Sequence, residues 1–186
     1  TIMKLSILLG SVPTRLKKFS VIEELTRQAE GRDVEILYLG DNFKMKVGEK
    51  RNNLIYLATG KYICFVDDDD RVEPDYVHKI LEAINTHDVD CINFQASVKI
   101  NNGPAKLCYY SREYKKNENL ADRYLRQPNH LMVWRKSIIE LFPEINIGED
   151  NQFGVSMASK EYTEYCIDKV LYHYDFNSQT TEAQKR

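Results

Sequence analysis

The stretch Lys61-Tyr-Ile-Cys-Phe-Val-Asp-Asp-Asp-Asp70 constrains this chain more than any other. Residues 62–66 form a short apolar run, β-branched and aromatic, just after Gly60. Such a run reads as a strand buried on both faces. It stops abruptly at the carboxylates Asp67, Asp68, Asp69 and Asp70. Adjacent negative charges repel one another, and none enters a core unpaired. They must sit at the strand's end, in water or around a cation. In parallel α/β sheets, ligands bind at the carboxyl ends of strands. An acidic run is usually only a solvated turn. Directly after a fully apolar strand, a divalent-metal site is the better reading.

The flanking stretches alternate between strand and helix patterns. Residues 5–9 are an apolar strand ending at Gly10-Ser11. Residues 15–29 carry Phe19, Ile22, Leu25 and Ala29 on one helical face, and Gly31 breaks that helix. Residues 34–39 are a second strand, ending at Gly40-Asp41-Asn42, and a helix over 47–59 leads to Gly60. Pro74 suits the first turn of a third helix, with the stripe Val77, Ile80, Leu81 and Ile84. This order predicts a parallel, doubly wound α/β sheet with helices on both faces. Gly10-Ser11, Asp41 and the Asp run then share one carboxyl edge. Arg51 lies on the same helix face as Val47 and Ile55, so its guanidinium needs an anionic partner. A salt bridge to Asp41 or Asp67 and a bound phosphate fit the spacing equally. Lys44, Lys46 and Lys50 add positive charge nearby, read as mostly solvated.

Beyond residue 88 the pattern changes. Ile92, Phe94, Ala96, Val98 and Ile100 alternate with polar residues, which predicts a strand with one wet face. Asn101-Asn102-Gly103-Pro104 is a turn, and residues 107–110 return antiparallel. Residues 111–127 are polar, slightly basic and interleaved with tyrosines. They read as a mobile loop over a site or, equally, as ordinary exposed structure. Residues 130–134 form a further strand that includes His130, and 137–141 a short helix. A helix over 151–159 puts Asp150 near its N-cap, where a capping role is the simplest one. Residues 165–174 form the last strand.

A chain of 186 residues suits a single domain. Its formal charge of -2 gives no general affinity for polyanions. Cys64, Cys91, Cys108 and Cys166 show no metal-binding spacing. They fit a reducing compartment, hence the cytoplasm. No apolar run has membrane-spanning length, and the N-terminus does not read as a signal peptide. The polar residues 177–186 read as a tail.

Three segments taken together resemble a family 2 glycosyltransferase with the GT-A fold. They are Gly48-Glu-Lys-Arg-Asn52, Ala58-Thr-Gly-Lys-Tyr-Ile-Cys-Phe-Val-Asp-Asp-Asp-Asp70 and Gly148-Glu-Asp150. The resemblance runs from Leu5 to about Tyr174. It implies one GT-A domain over 1–186, with a Rossmann-like, mostly parallel sheet and a smaller antiparallel part. About 1–100 would bind a nucleoside diphosphate sugar, with a UDP-sugar expected, and about 101–176 an acceptor. It maps the Asp-x-Asp motif, which holds Mn²⁺ or Mg²⁺ and the donor, onto Asp67 and Asp69 with Asp68 between them. Asp150 falls at the usual general base, with Glu149 its rival. Asp41 falls at the base contact, with Arg51 beside it. His173 stands where a histidine sometimes completes the metal shell, although a partly buried strand histidine is the better reading. Two departures stand out. Gly10-Ser-Val-Pro-Thr-Arg15 replaces the usual Pro-Thr-Tyr-Asn, which bears on Ser11 as a donor contact. The unbroken Asp run blurs the ligand register, and Asp70 has Arg71 or Arg51 as alternative partners.

The residue types suit the implied chemistry. Sugar transfer needs a leaving diphosphate stabilised and an acceptor hydroxyl deprotonated. Inversion needs only one base, unlike the carboxylate pair of a glycoside hydrolase. The acceptor stays open among glycans, lipid-linked sugars, proteins and small metabolites, and the small size also resembles phage-type enzymes, which would act in the host cytoplasm on a hydroxymethylated DNA base. The other readings are a nucleotidyltransferase, which lacks an obvious Gly-rich triphosphate loop here, and a non-catalytic nucleotide-sugar-binding module.

Overall fold

A computed structural model describes residues 2–12 and 20–177. The expected first three strands are β1 (Leu5–Ser11), β2 (Val34–Gly40) and β3 (Tyr62–Phe65). β1 pairs in parallel with β2 on one edge and β3 on the other. β1 is buried along nearly its whole length and β3 along all of it, as expected for central strands covered on both faces. The first helix, α1 (Ser20–Ala29), buries Val21 and Leu25. Arg15 and Phe19, read into the same helix, lie outside the described residues. α2 (Val47–Leu57) precedes β3, and α3 (Tyr76–Thr86) follows the short β4 (Arg71–Val72). α1 packs against α3, where the Gln28 amide donates to Glu73 O at 2.9 Å and accepts from Val77 N at 2.9 Å.

The second half completes the sheet. β5 (Cys91–Ile100) and β9 (Val133–Arg135) extend it in the order β2-β1-β3-β9-β5. β9 is antiparallel to both its neighbours, so β3 and β5 point the same way. β10 (Glu164–Phe176) runs parallel along the other edge of β5 and pairs antiparallel with β4. The carboxyl ends of β2, β1, β3, β5 and β10 therefore share one edge. α4 (Glu149–Ala158) packs against α2. Its Phe153 stacks on Phe142 at 4.3 Å and meets the buried Trp134 edge-on at 6.3 Å. The helix expected over 137–141 shrinks to a single 3-10 turn, Lys136–Ile138. Paired β-branched isoleucines there disfavour a longer helix.

One expectation is corrected. Residues 111–127 are not a loop over a site. They hold β7 (Glu118–Asn119) and β8 (Arg123–Arg126), and β8 pairs in parallel with β6 (Lys106–Tyr110). β6 is antiparallel to β5 across a turn in which Asn101 and Asn102 take left-handed φ values of 48° and 61°. Arg126 and Lys106 both lie over the Tyr124 ring, at 5.0 and 5.4 Å. That contact draws the segment into the sheet's far edge.

Candidate functional site

A cavity of about 320 Å³ opens at the shared carboxyl edge. Ser11 from the end of β1, the Asp67–Asp70 run after β3, and Glu149 with Asp150 from α4 all line it. Tyr174 and Phe176 from the end of β10 close another side. Of the residues predicted for the site, Asp41 and His173 do not line this cavity.

One turn of α2 organises much of the wall. Consecutive residues on a helix point about 100° apart, so Lys50, Arg51 and Asn52 reach different elements. The buried Lys50 pairs with Asp41 at the end of β2 and donates to Ser11 O at 2.6 Å. Lys50 is thus not solvated, because a buried ammonium keeps its charge only beside a counterion. Asp41 also accepts from the backbone N–H groups of Lys44 and Met45, at 2.6 and 2.7 Å. Burial pushes its carboxyl up, but Lys50 and those N–H groups outweigh this and hold it below the usual range. Arg51 bridges Asp67 at 3.3 Å and Glu149 at 3.5 Å. Its guanidinium lies 5.1 Å from the Phe65 ring centre and 5.4 Å from that of Phe142. Of the partners read from spacing, Asp67 is found; Asp41 is held by Lys50 instead. Asn52 clamps the backbone of Phe142 through both ends of its amide, at 2.9 and 2.8 Å. Gly48 packs so closely on Pro143 that a Cβ would lie 1.9 Å from its carbonyl oxygen. The Gly48-to-Asn52 segment thereby ties α2 to the chain leading into α4.

Each carboxylate of the Asp run has its own surroundings. Asp67 is half-buried between Arg51 and His130, whose Nε2 is 3.6 Å away. Asp68 is buried and accepts from the Ser11 hydroxyl. Asp69 is exposed. Asp70 is buried and accepts from the Tyr172 hydroxyl at 2.7 Å, and that same oxygen accepts from Asp67 N at 3.0 Å. Burial, reinforced by Asp67 and Asp69, pushes the Asp70 carboxyl up to about 9. Among the described residues Asp70 forms no ion pair with Arg71 or Arg51; Arg71 faces Asp175 at 3.4 Å.

Across the cavity, Gly148 is the N-cap of α4, with φ 82°. A left-handed φ is the reason for glycine there, since open space surrounds the position of a Cβ. Asp150 therefore sits in the first helical turn and is not the cap. Glu149 is buried against Arg51, and burial raises its carboxyl against the pull of that cation. Asp150 is half-buried and lines the cavity. On β10, Tyr172, Tyr174 and Phe176 share one strand face by their spacing of two. His173 points the other way and pairs with Glu73 at 2.5 Å, which takes it out of the cavity. Asn52, Tyr174 and Phe176 brace or line this cavity without having been singled out in the sequence, and for the two aromatic residues the period-two run ending β10 was the signal.

Among the described residues, no three His, Cys, Asp or Glu side chains gather into a ready-made metal cage. Asp67 and Asp69 nonetheless lie on one tight turn, closed by Asp70 N donating to Asp67 O at 3.1 Å. Mg²⁺-type ions take one or two carboxylates and draw remaining ligands from substrate phosphates and water. The residues present fit that mode of binding.

The model of the family described as glycosyl transferase family 2 matches residues 20–141. No curated protein sequence matches the chain significantly. Among solved structures, S. aureus TarS aligns with a TM-score of 0.62 at 16% identity, over 94% of this chain and 37% of that one. TarS 1-349 in complex with UDP-GlcNAc aligns at 0.61 and 16% identity, over 98% and 61%. The complex of TarS 1-349 with UDP aligns at 0.59 and 17% identity, over 94% and 61%. The chain thus spans less than two thirds of the length of these structures. At such identities the likeness shows the shared fold, a mixed α/β sheet of the GT-A type.

Proposed function

The chain belongs to glycosyl transferase family 2, and from that premise we propose that it moves a sugar from a nucleoside diphosphate sugar to an acceptor hydroxyl with inversion. One observation carries this reading: the Asp67–Asp69 turn and Asp150 line one cavity, with Arg51 bridging the two walls through Asp67 and Glu149. The complexes of TarS with UDP-GlcNAc and UDP favour a uridine diphosphate sugar as donor.

Asp67 and Asp69 would hold Mg²⁺ or Mn²⁺ against the donor's diphosphate. The ion supplies charge stabilisation for the leaving diphosphate. Asp68 and Ser11 line the donor side, and Asp41 holds the end of β2 through Lys50. Asp150 takes the proton of the acceptor hydroxyl. That oxygen forms the new bond to the sugar's anomeric carbon from the face opposite the diphosphate. The carbon–oxygen bond to the diphosphate breaks, and its electron pair leaves with the diphosphate. Glu149 is occupied by Arg51, which favours Asp150 as the base.

A screen of nucleotide sugars with Mn²⁺, read by mass analysis of acceptors, tests this function. Calorimetry of Asp69→Ala tests the metal assignment, with loss of Mn²⁺-dependent UDP binding expected and unchanged affinity refuting it. Nucleotidyl transfer would instead consume a triphosphate. A binding module would hold UDP-sugar without turnover.

A further inference from the structure

The side of the cavity formed by β10 is unlike the rest. Tyr174 and Phe176 stack at 6.3 Å with their planes 27° apart, and both line the cavity beside the exposed Ile147. We propose that Tyr174 and Phe176 form a shelf for the acceptor, which presents an uncharged pyranose ring to it. This rests on the glycosyl-transfer reading above and names the acceptor class that reading leaves open.

Position along the sheet edge is the first argument. The carboxyl ends run from Asp41 on β2, through Ser11 on β1, to the Asp run after β3, and then to β10. With the diphosphate at Asp67 and Asp69, the nucleoside extends toward β1 and β2. What meets β10 is then the transferred sugar and its acceptor. Tyr174 sits close enough to both groups of carboxylates to respond to them. Burial, followed by the charges of Asp70, Asp67, Asp69 and Asp150, raises its phenol and keeps it a neutral donor. A neutral hydroxyl among carboxylates, beside an aromatic face, matches a ring with hydroxyls on its rim and C–H groups on its faces.

Charge is the second argument. The described cations lining the cavity are Lys50 and Arg51, and both already face carboxylates. Asp67, Asp68, Asp69, Glu149 and Asp150 outnumber them. A DNA acceptor carries one negative charge per ~1.7 Å of duplex and needs Lys or Arg to neutralise it. Arg123 and Arg126 of the basic wing are turned to Asp122 and to Glu118 O and Asn119, at the sheet's far edge. Within the cavity, a modified-DNA acceptor therefore finds no unpaired cation among the described lining residues, while a neutral glycan end meets no repulsion.

Saturation-transfer NMR tests the shelf, using the whole chain with UDP, diamagnetic Mg²⁺ and a panel of methyl α- and β-hexopyranosides. Transfer assays with UDP-GlcNAc compare those pyranosides with a hydroxymethylcytosine-containing duplex. At least one pyranoside should show saturation of its ring protons and accept sugar better than the duplex. Phe176→Ala should raise its KM about 3- to 10-fold, the worth of an aromatic stack, with UDP affinity within about 2-fold of the parent. Phe176→Leu, which keeps apolar bulk without the ring, should behave like the alanine variant. Three results would overturn the shelf: no pyranoside binding, preference for the duplex, or an equal loss of UDP affinity in Phe176→Ala. A parent chain that neither binds UDP nor turns over any nucleotide sugar would overturn the transferase reading itself, and the shelf with it.

Discussion

The cavity has two walls built on opposite principles. The α2 wall is a lattice of buried charge. Lys50 is held by Asp41, Arg51 by Asp67 and Glu149, and Asp68 by Ser11. The β10 wall is aromatic and open, with Tyr174 and Phe176 beside an Ile147 that is 66% exposed. A buried ion lattice is rigid, because moving one member strands another in low dielectric. An aromatic shelf tolerates change, since packing there is one-sided. The comparison teaches where this site is fixed and where it can vary. On the proposed glycosyl-transfer reading, charge partners would set the diphosphate end and surface shape the acceptor end.

The largest effect is expected where the two walls meet. Asp150 belongs to α4, whose start is tied to α2 by Arg51 and Glu149. If it is the base, Asp150→Asn should bind UDP normally and lose transfer by about 10²–10⁴-fold. Glu149→Gln should leave the chemistry of proton transfer intact and act through Arg51 instead. Transfer rates at saturating donor compare the two. A slow Glu149→Gln beside a normal Asp150→Asn would reverse the assignment.

Next comes the lattice itself. Arg51→Ala leaves Asp67 and Glu149 without their shared cation and uncovers the rings of Phe65 and Phe142. Breaking a buried pair from one side costs about 3–5 kcal/mol. Denaturant unfolding should show a loss of that order, whereas removing a ring from the β10 shelf should cost under about 2 kcal/mol. A thermally normal Arg51→Ala with poor UDP affinity would make Arg51 a donor ligand and not a tether.

Asp70 gives the lattice a pH signature. Its folded carboxyl lies at about 9 because it is buried beside Asp67, while an unfolded Asp titrates at about 3.9. The folded state holds the extra proton between those values. Stability from this group is full below about pH 4 and is lost as pH rises toward 9, by at most about 1.4 kcal/mol per unit. Thermal melts from pH 5 to 9, without divalent cations, should fall more steeply for the parent than for Asp70→Asn. Asparagine still accepts from Tyr172, so parallel profiles would show that Asp70 is already ionised.

Much of this was legible in the sequence, and unevenly so. The order of β1, β2 and β3 and the carboxylates ending β3 follow from apolar runs that stop at charges. Arg51 was legible as a cation in need of a partner, because its helical phase puts it among Val47 and Ile55. Asp67 was legible as one partner, but Glu149 was not, since it lies far along the chain and only tertiary packing joins it to Arg51. Lys50 was misread for the same reason: a lysine looks solvated until Asp41 is seen to approach it. His173 faces Glu73, one residue of strand alternation away from the cavity that Tyr174 lines, in keeping with the partly buried strand histidine that the sequence favoured. The wing was misread because short two- and four-residue strands carry too little pattern to separate them from loop.

The smallest effect is expected in that wing, and it sharpens the contrast with the lattice. Arg126 is a cation beside Tyr124, like Arg51 beside Phe65, but its other contacts are Glu118 O at 2.8 Å and Asn119 at 2.7 Å. It bridges neighbouring strands of one edge and neutralises no carboxylate in those contacts. A partly exposed cation over an aromatic ring is worth about 0.5–1 kcal/mol. Arg126→Ala should therefore lower stability by about 1 kcal/mol and leave UDP affinity and transfer to a pyranoside unchanged. If that variant instead lost transfer to a nucleic-acid acceptor while keeping UDP affinity, the basic wing would be part of the acceptor path, and charge would govern both ends of the molecule.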